Sequence, residues 1–308
     1  MFIRRFAVTA LVLSTLVACG SAKDTAAPAA KGGGDFPATE SIISAVKKDD
    51  ALAAGLPATI KSAGKLRVGS NIQNPPNNFY APDGKTPVGS EVDLAKAVAA
   101  KLGLTVEYSD MAFSSLITSL ESGRIDMTMA AMNDTAERQQ KIDFVDYFTS
   151  GITIMVQKGN PSSVKGPDDL CGKAVAVNLG TSQEAYAKEQ SAKCVAAGKG
   201  EVAVTSTDSD TQNQNQLRTG RVAAILNDLP TAVYVAQTAG KGEYFEVVQA
   251  APINGGPYGI GVNKANPELT KSIKGALQAL VDDGTYPKIL QAWNVSQGAI
   301  AGVTVNGK

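Results

Sequence analysis

Residues 123–148 read GRIDMTMAAMNDTAERQQKIDFVDYF, a stretch that combines a strand, a polar turn, the start of a helix and a second strand. Apolar residues at alternate positions from 125 to 129 indicate the first strand. The polar turn at 133–135 precedes a helix-forming segment, so we expect Arg138 in the first turn of a helix capped by Thr135. A cation there opposes the helix dipole and therefore suggests a bound anion. The alternative is a purely structural ion pair with one of the neighbouring carboxylates, those of Asp134, Glu137 and Asp143.

Three motifs in this stretch resemble those of family 3 of the extracytoplasmic solute-binding proteins, the polar amino-acid receptors of ABC importers. They are GRID at 123–126, TAER at 135–138 and FVDY at 144–147. The resemblance extends from about residue 66 to residue 293. It implies that Arg138 binds the α-carboxylate of the ligand, because a planar guanidinium pairs with a carboxylate through two parallel hydrogen bonds.

Composition excludes several other classes of function. The 308 residues carry 29 basic and 29 acidic side chains, which gives no electrostatic reason to expect nucleic acid. Histidine is absent from the sequence, which excludes Ser-His-Asp or Cys-His catalysis and histidine-based zinc sites. We therefore expect no metal and no cofactor.

Strand and helix patterns alternate along the rest of the chain. This order predicts an α/β fold with parallel sheets covered by helices. The resemblance implies more: a two-lobed periplasmic-binding-protein-like fold of type II, with two three-layer α/β/α lobes joined by a two-strand hinge. Lobe 1 would comprise residues 60–150 and 257–296, lobe 2 residues 151–256, and a C-terminal tail residues 297–308. Composition alone does not separate this arrangement from one continuous α/β domain.

The first 19 residues have the features of an export signal, because two arginines precede an apolar run that is short for a membrane span. The run ends in LVAC at 16–19, which resembles a bacterial lipobox, so we predict that Cys19 is lipidated. An ordinary cleaved secretion signal is the alternative. Residues 20–59 are expected to form a flexible tether and then a short amphipathic helix, from about 39 to 55, that packs on lobe 1.

Two further cysteines, Cys171 and Cys194, have no histidine or other cysteine nearby with which to bind a metal. In an exported protein such a pair is expected to form a disulfide. Its role would be structural, with a stabilisation of about 3 kcal/mol.

Two motifs in lobe 2 complete the predicted amino-acid site. GTSQE at 180–184 places Thr181 and Ser182 at a helix start with capping-box spacing, and it resembles the family motif that also meets the ligand carboxylate. GRVAAILND at 220–228 resembles the run whose final aspartate, here Asp228, binds the ligand ammonium. The alternatives are that Thr181 and Ser182 only cap their helix and that Asp228 only caps the one that follows it.

The resemblance also supplies a side-chain pocket. Phe113 would form one wall, while Asn133 and the backbone carbonyl of Ala131 would join Asp228 at the ammonium. The remaining pocket residues are expected to be Asn71, Gln73, Asn74 and Glu91. Without an aspartate at Asn71 a cationic ligand side chain lacks its usual partner, with Glu91 as a possible substitute, so the amides favour glutamine, asparagine or glutamate.

We therefore expect a monomeric, lipid-anchored receptor on the outer face of the cytoplasmic membrane, which closes on a free amino acid and delivers it to an ABC-transporter permease. It is not expected to be an enzyme. An exported dehydratase or lyase on the same fold would need Asp228 or Glu91 as an acid, and a salt bridge at Asp228 would keep that carboxylate ionised. The remaining alternative is a ligand-sensing receptor subunit.

Overall fold

The computed structural model describes residues 36–308. The strands in this part are β1 Lys65–Ser70, β2 Phe79–Tyr80, β3 Pro87–Val88, β4 Thr105–Asp110, β5 Met127–Thr128, β6 Ile142–Gln157, β7 Ala174–Asn178, β8 Ala203–Thr207, β9 Ala224–Asp228, β10 Phe245–Val247 and β11 Ile253–Asn263. The α-helices are α1 Glu40–Ser44, α2 Asp50–Ala54, α3 Ala58–Ala63, α4 Ser90–Lys101, α5 Leu116–Glu121, α6 Ser182–Ala196, α7 Asp210–Arg218, α8 Leu229–Thr238, α9 Pro267–Asp282 and α10 Thr285–Ala292.

One continuous sheet runs through the described residues in the order β4-β1-β5-β11-β6-β9-β7-β8, with β10 also paired to β6 and β2-β3 forming a separate hairpin. Strands β4, β1 and β5 are parallel at one end, and β8, β7 and β9 are parallel at the other. The long strands β6 and β11 lie between these groups and pair antiparallel to each other. They are the two strands by which the chain passes from one parallel group to the other.

Each parallel group is covered on both faces. In β6, Ile154 belongs to one apolar cluster and Met155 to another, and nearer its start Phe144 and Val145 are likewise divided between two clusters. Successive residues of a strand point to opposite faces, so each group lies between two apolar layers. The α/β prediction is confirmed. The crossings at β6 and β11 support the lobe boundaries given above, which we retain as a proposal.

The segments before and after the lobes contribute to the lobe 1 core. Leu56 is buried there, and residues of α1 and α2 pack against the same cluster. The single helix expected at 39–55 is instead two short helices, because Asp49 starts the second one by accepting hydrogen bonds from the amides of Ala51 and Leu52. At the other end Val303 is buried in the same core, so residues 297–308 are not a free tail.

The predicted disulfide is present. Cys171 and Cys194 are bonded, and the bridge ties the segment before β7 to the last turn of α6. No helix within residues 36–308 is long and apolar enough to span a bilayer. The predictions for the signal peptide, Cys19 and the tether up to residue 35 lie outside the described residues.

Candidate functional site

A nearly closed cleft lies between the loops that follow the strands of the two lobes. The space free of protein atoms between its walls, part of it open to solvent, is about 440 Å³, and the walls lie close together. Its lining residues come from both lobes and are mostly polar: Asn71, Asn74, Phe113, Ala130, Ala131, Asn133, Asn178, Thr181, Ser182, Gln183, Asp210, Asn213, Leu226, Asn227 and Asp228. Eight of the predicted site residues are in this set, whereas Arg138, Gln73 and Glu91 are not.

Arg138 lies beside the cleft and already connects its two sides. One guanidinium nitrogen donates to the Asn133 carbonyl at 2.9 Å and another to the Gly180 carbonyl at 3.1 Å. The guanidinium also stands over the Phe113 ring, 5.3 Å from its centre. Within residues 36–308 Arg138 forms no salt bridge with any of the three carboxylates of the structural alternative, Asp134, Glu137 and Asp143.

The prediction of an α-helix that begins near Thr135 is wrong. The structure has only a single 3-10 turn, Arg138–Gln140, before β6 begins. Thr135 nevertheless accepts a hydrogen bond from the Arg138 amide, at 3.3 Å. The segment is short because the chain must enter the long strand β6 at Ile142, which leaves no room for a second turn.

The start of α6 has half of the capping box that the sequence predicts, because Glu184 accepts from the amide of Gly180 and not from that of the N-cap residue Thr181. The Thr181 hydroxyl accepts from the Glu184 amide at 3.2 Å, and the Glu184 carboxylate accepts from the Gly180 amide at 2.7 Å. The Thr181 hydroxyl also donates to the Asn178 carbonyl at 2.6 Å. The amides of Ser182 and the next residue belong to the first turn, where no intrahelical acceptor exists, and Ser182 lines the cleft.

Ser182 and Asn133 join the two lobes directly, because the Ser182 hydroxyl donates to the Asn133 side-chain oxygen at 2.7 Å. Gln73 makes a second connection. Its amide nitrogen donates to the Asp208 carbonyl at 2.8 Å, and its oxygen accepts from the Asp210 amide at 2.9 Å. Gln73 is thus a contact between lobes and not a wall of the cleft.

Asp228 ends β9 just before α8, but its side chain makes no capping hydrogen bond. The residue is 8% exposed, and its Oδ1 atom has no hydrogen-bond partner among the described residues. Burial raises the pKa of Asp228 to about 7, an effect that Tyr258, Gln183 and Arg138 oppose without cancelling it. Without a cation beside it, Asp228 is not held ionised at neutral pH, because desolvation outweighs these favourable neighbours. Its salt bridge to a ligand ammonium stays a prediction.

Glu91, which was expected in the side-chain pocket, does not line this cleft. It is 3% exposed at the start of α4, where it accepts hydrogen bonds from the Tyr147 hydroxyl and the Asn78 side chain, and from the Ala131 amide at 2.7 Å. Burial raises the pKa of Glu91, while these three donors lower it. Both carboxylate oxygens of Glu91 therefore accept hydrogen bonds from the protein. One of these bonds fixes the backbone amide of Ala131, whose φ of 48° is unusual for a residue other than glycine.

The asparagines of the loop after β1 line the cleft as predicted. Asn71 donates to the Met111 carbonyl at 3.2 Å, and Asn74 donates to the Asn71 carbonyl at 3.0 Å. These bonds use amide nitrogens. The Asn71 side-chain oxygen receives only a long contact from Asn74, at 3.4 Å.

The sequence analysis did not predict four polar side chains with which lobe 2 lines the cleft. Asp210 accepts from the Asn227 side chain at 3.2 Å, and Asn213 donates to the Asn178 side chain at 2.7 Å. All four residues follow or end strands of the parallel group, or start the helix after one, so strand-end position was the available signal. Gln183, next to Ser182, was also missed. No group of three or more potential metal ligands occurs in the described part of the chain.

Sequence comparison matches residues 66–296 to the model of the bacterial extracellular solute-binding proteins, family 3. The arginine-binding protein ArgT of Corynebacterium glutamicum is 28% identical over 253 residues, covering 82% of this chain and 81% of that protein. The L-cystine-binding protein TcyJ of Escherichia coli is 32% identical over 245 residues, covering 78% of this chain and 86% of the relative.

Comparison with solved structures gives the same kind of relatives. An ancestral arginine-binding protein bound to arginine is 40% identical with a TM-score of 0.67, covering 75% of this chain and 98% of the other. An ancestral arginine-binding protein bound to glutamine is 41% identical with a TM-score of 0.66 and the same coverage. An ancestral amino acid-binding protein, a precursor of cyclohexadienyl dehydratase, is 33% identical with a TM-score of 0.68, covering 76% and 97%. These matches confirm the predicted two-lobed type II fold.

Proposed function

Because this chain belongs to family 3 of the bacterial extracellular solute-binding proteins, we propose that it binds a free polar amino acid between its lobes and delivers it to an ABC-transporter permease. The observation that carries the proposal is that a cationic and an acidic side chain, Arg138 and Asp228, lie at the same cleft. Arg138 stands on the lobe 1 side, and Asp228 ends a lobe 2 strand with an unpartnered oxygen. An amino acid carries the complementary carboxylate and ammonium.

The ligand carboxylate is assigned to Arg138, Thr181 and Ser182. A guanidinium has five N–H donors, so Arg138 can keep its two carbonyl contacts and still hold a carboxylate through others. Ser182 adds the free amides of the first turn of α6, and its hydroxyl can donate to the carboxylate once it leaves Asn133. The carboxylate therefore meets both lobes at once.

The ligand ammonium is assigned to Asp228, with Asn133 and the Ala131 carbonyl beside it. A cation next to Asp228 would supply the salt bridge that this buried carboxylate lacks among the described residues, where Arg138 acts on it only at a distance. Binding would then lower the raised pKa of Asp228 and leave the carboxylate ionised.

The ligand side chain is assigned to the wall formed by Phe113, Asn71 and Asn74. Amide-rich walls suit a side chain that donates hydrogen bonds, which includes glutamine and asparagine and also arginine. Glutamate fits less well than the sequence suggested, because the cleft holds Asp210 in addition to Asp228. The named relatives bind arginine or cystine, which supports a polar amino acid without choosing among these.

Closure of the lobes is the proposed signal to the permease. The contacts of Gln73, Ser182 and Arg138 across the cleft exist only when the lobes are together, and the narrow cleft must widen to admit a ligand. A ligand that touches both lobes stabilises the closed form because the open form lacks half of its contacts. A micromolar affinity requires about −8 kcal/mol, which one guanidinium–carboxylate pair, one ammonium–carboxylate pair and several amides can supply.

A thermal-shift screen of the common amino acids against the Cys19→Ser chain tests this function, since a ligand that binds only the folded protein raises its melting temperature. Stabilisation by a polar amino acid supports the receptor, and no shift with any of them contradicts it. Lipid attachment is tested separately: labelling with radioactive palmitate should mark the wild-type chain and not Cys19→Ser.

One observation favours a second candidate, an exported dehydratase or lyase. With a pKa of about 7, Asp228 is partly protonated near neutrality and so has the proton that a general acid must donate. One of the similar structures is a dehydratase precursor. Turnover of a prephenate-like substrate that is lost in Asp228→Asn would establish this activity, and stable binding of an unchanged amino acid favours the receptor.

A further inference from the structure

We infer that Asp210 selects the side chain of the ligand by pairing with a cationic group on it, an inference that rests on the proposed amino-acid site. Asp210 is the first residue of α7, lines the same cleft as Asp228 and is 2% exposed. Neither the sequence motifs nor the named relatives assign it a role. The ligand class it indicates is an amino acid with a guanidinium or ammonium side chain.

The surroundings of Asp210 contain hydrogen-bond donors but no positive charge. One carboxylate oxygen accepts from the Asn227 amide at 3.2 Å and the other from the Gln214 amide at 2.6 Å. No lysine or arginine of residues 36–308 forms a salt bridge with it. Burial outweighs the two amides and raises the pKa of Asp210 to about 6. A buried carboxylate in this position is best stabilised by a cation.

The balance of acidic and basic side chains at the cleft also favours a cationic ligand side chain. Asp210 and Asp228 are two acids, and Arg138 is the base that acts on Asp228. The α-carboxylate and α-ammonium of any ligand cancel, so a cationic side chain balances the remaining acid. A neutral side chain leaves that acid to take up a proton, and an anionic one adds to the excess.

The position of Asp210 depends on lobe closure. Its amide donates to the Gln73 side chain, which in turn donates to the carbonyl two residues earlier, at Asp208. Gln73 lies between Asn71 and Asn74, whose side chains line the cleft. A guanidinium enclosed there would find one carboxylate and several amide oxygens, which matches its planar set of donors.

Arginine and citrulline form the matched probes, because citrulline replaces the guanidinium by a neutral urea of the same shape. Titration calorimetry on the full chain carrying Cys19→Ser should show arginine binding at least about tenfold tighter than citrulline. In Asp210→Asn the ratio should fall to about one while citrulline binding persists. Asp168→Asn, which removes an exposed carboxylate of the same lobe outside the cleft, should keep the wild-type ratio.

A second measurement needs no variant. Titrations in two buffers of different ionisation enthalpy should show that citrulline binding takes up more protons, or releases fewer, than arginine binding, because the proton released from Asp228 is common to both ligands. Tighter binding of citrulline than of arginine, or an unchanged ratio in folded Asp210→Asn, would overturn the role of Asp210 and leave the amino-acid site intact. Absence of binding by every amino acid, cationic or neutral, would instead overturn the proposed function and this inference with it.

Discussion

The hydroxyl of Ser182 donates a hydrogen bond to the side-chain oxygen of Asn133 across the cleft, at 2.7 Å. Asn133 follows β5 in lobe 1, and Ser182 starts α6 in lobe 2. The bond joins two residues assigned to opposite ends of the ligand, the ammonium and the carboxylate. In the closed form the two lobes therefore meet where the proposed ligand would lie.

Replacement of Arg138 by alanine should weaken amino-acid binding by at least about a hundredfold, because hydrogen bonds to a charged group are worth about 1.5–3 kcal/mol each. Arg138→Lys should recover only part of the loss, since an ammonium cannot form two parallel bonds to a carboxylate. Calorimetric titration measures both. Arg124→Ala, an exposed arginine of the same lobe, is the control and should bind normally. Wild-type affinity in Arg138→Ala would remove it from the site.

Asp228→Asn should make the ligand-free protein more stable at pH 8 than the wild type. The pKa of Asp228 rises from 3.8 to about 7 on folding, so the folded state binds more protons than the unfolded state between these values. The wild type therefore loses stability as pH rises from about 4 through about 7, by an amount on the order of a few kcal/mol. An asparagine does not titrate, and this loss should be absent from the variant.

Thermal melts of both ligand-free proteins at pH 4.5 and pH 8 measure the effect. The variant's advantage should grow with pH, because Asp210 and Glu91 titrate alike in both proteins. An advantage independent of pH would mean that Asp228 is not a buried carboxylate of raised pKa. The same variant should bind amino acids at least about tenfold more weakly, since it loses the charge that holds the ammonium.

Much of this arrangement was predictable, and the exceptions have physical causes. The motifs and the alternation of strands and helices indicated the fold and eight of the residues that line the cleft. Glu91 lies outside that lining because Tyr147, distant in sequence, brings its hydroxyl to the carboxylate only in the folded chain. Asp210 was missed although it follows a strand of the parallel group, because strand-end position alone does not reveal that Gln73, distant in sequence, contacts it at the cleft.

Gln73→Ala should weaken ligand binding about 5- to 150-fold, mainly by faster dissociation. The variant loses two hydrogen bonds that connect the lobes, at 2.8 and 2.9 Å, and neutral hydrogen bonds contribute about 0.5–1.5 kcal/mol each. Stopped-flow fluorescence gives the two rate constants. Gln212→Ala, an exposed glutamine in α7, should behave as wild type. An unchanged dissociation rate in Gln73→Ala would show that this contact does not stabilise the closed form.

Removal of the disulfide by the double change Cys171→Ser and Cys194→Ser should lower the free energy of unfolding by about 2–4 kcal/mol. The bridge closes a loop with a sequence separation of 23, and neither cysteine lines the cleft. Urea unfolding should therefore shift to lower concentration, while ligand affinity below the transition stays within about twofold. A large loss of affinity in the folded variant would show that the bridge positions α6 for binding.

The central claim is that a free polar amino acid binds in this cleft, and its most direct measurement is calorimetric titration of wild-type and Arg138→Ala protein, each refolded from denaturant to remove any carried ligand. We predict one ligand per chain, a micromolar or tighter dissociation constant for the wild type, and binding at least about a hundredfold weaker in the folded variant. Equal binding by both proteins, or no binding of any amino acid by the wild type, would contradict the claim.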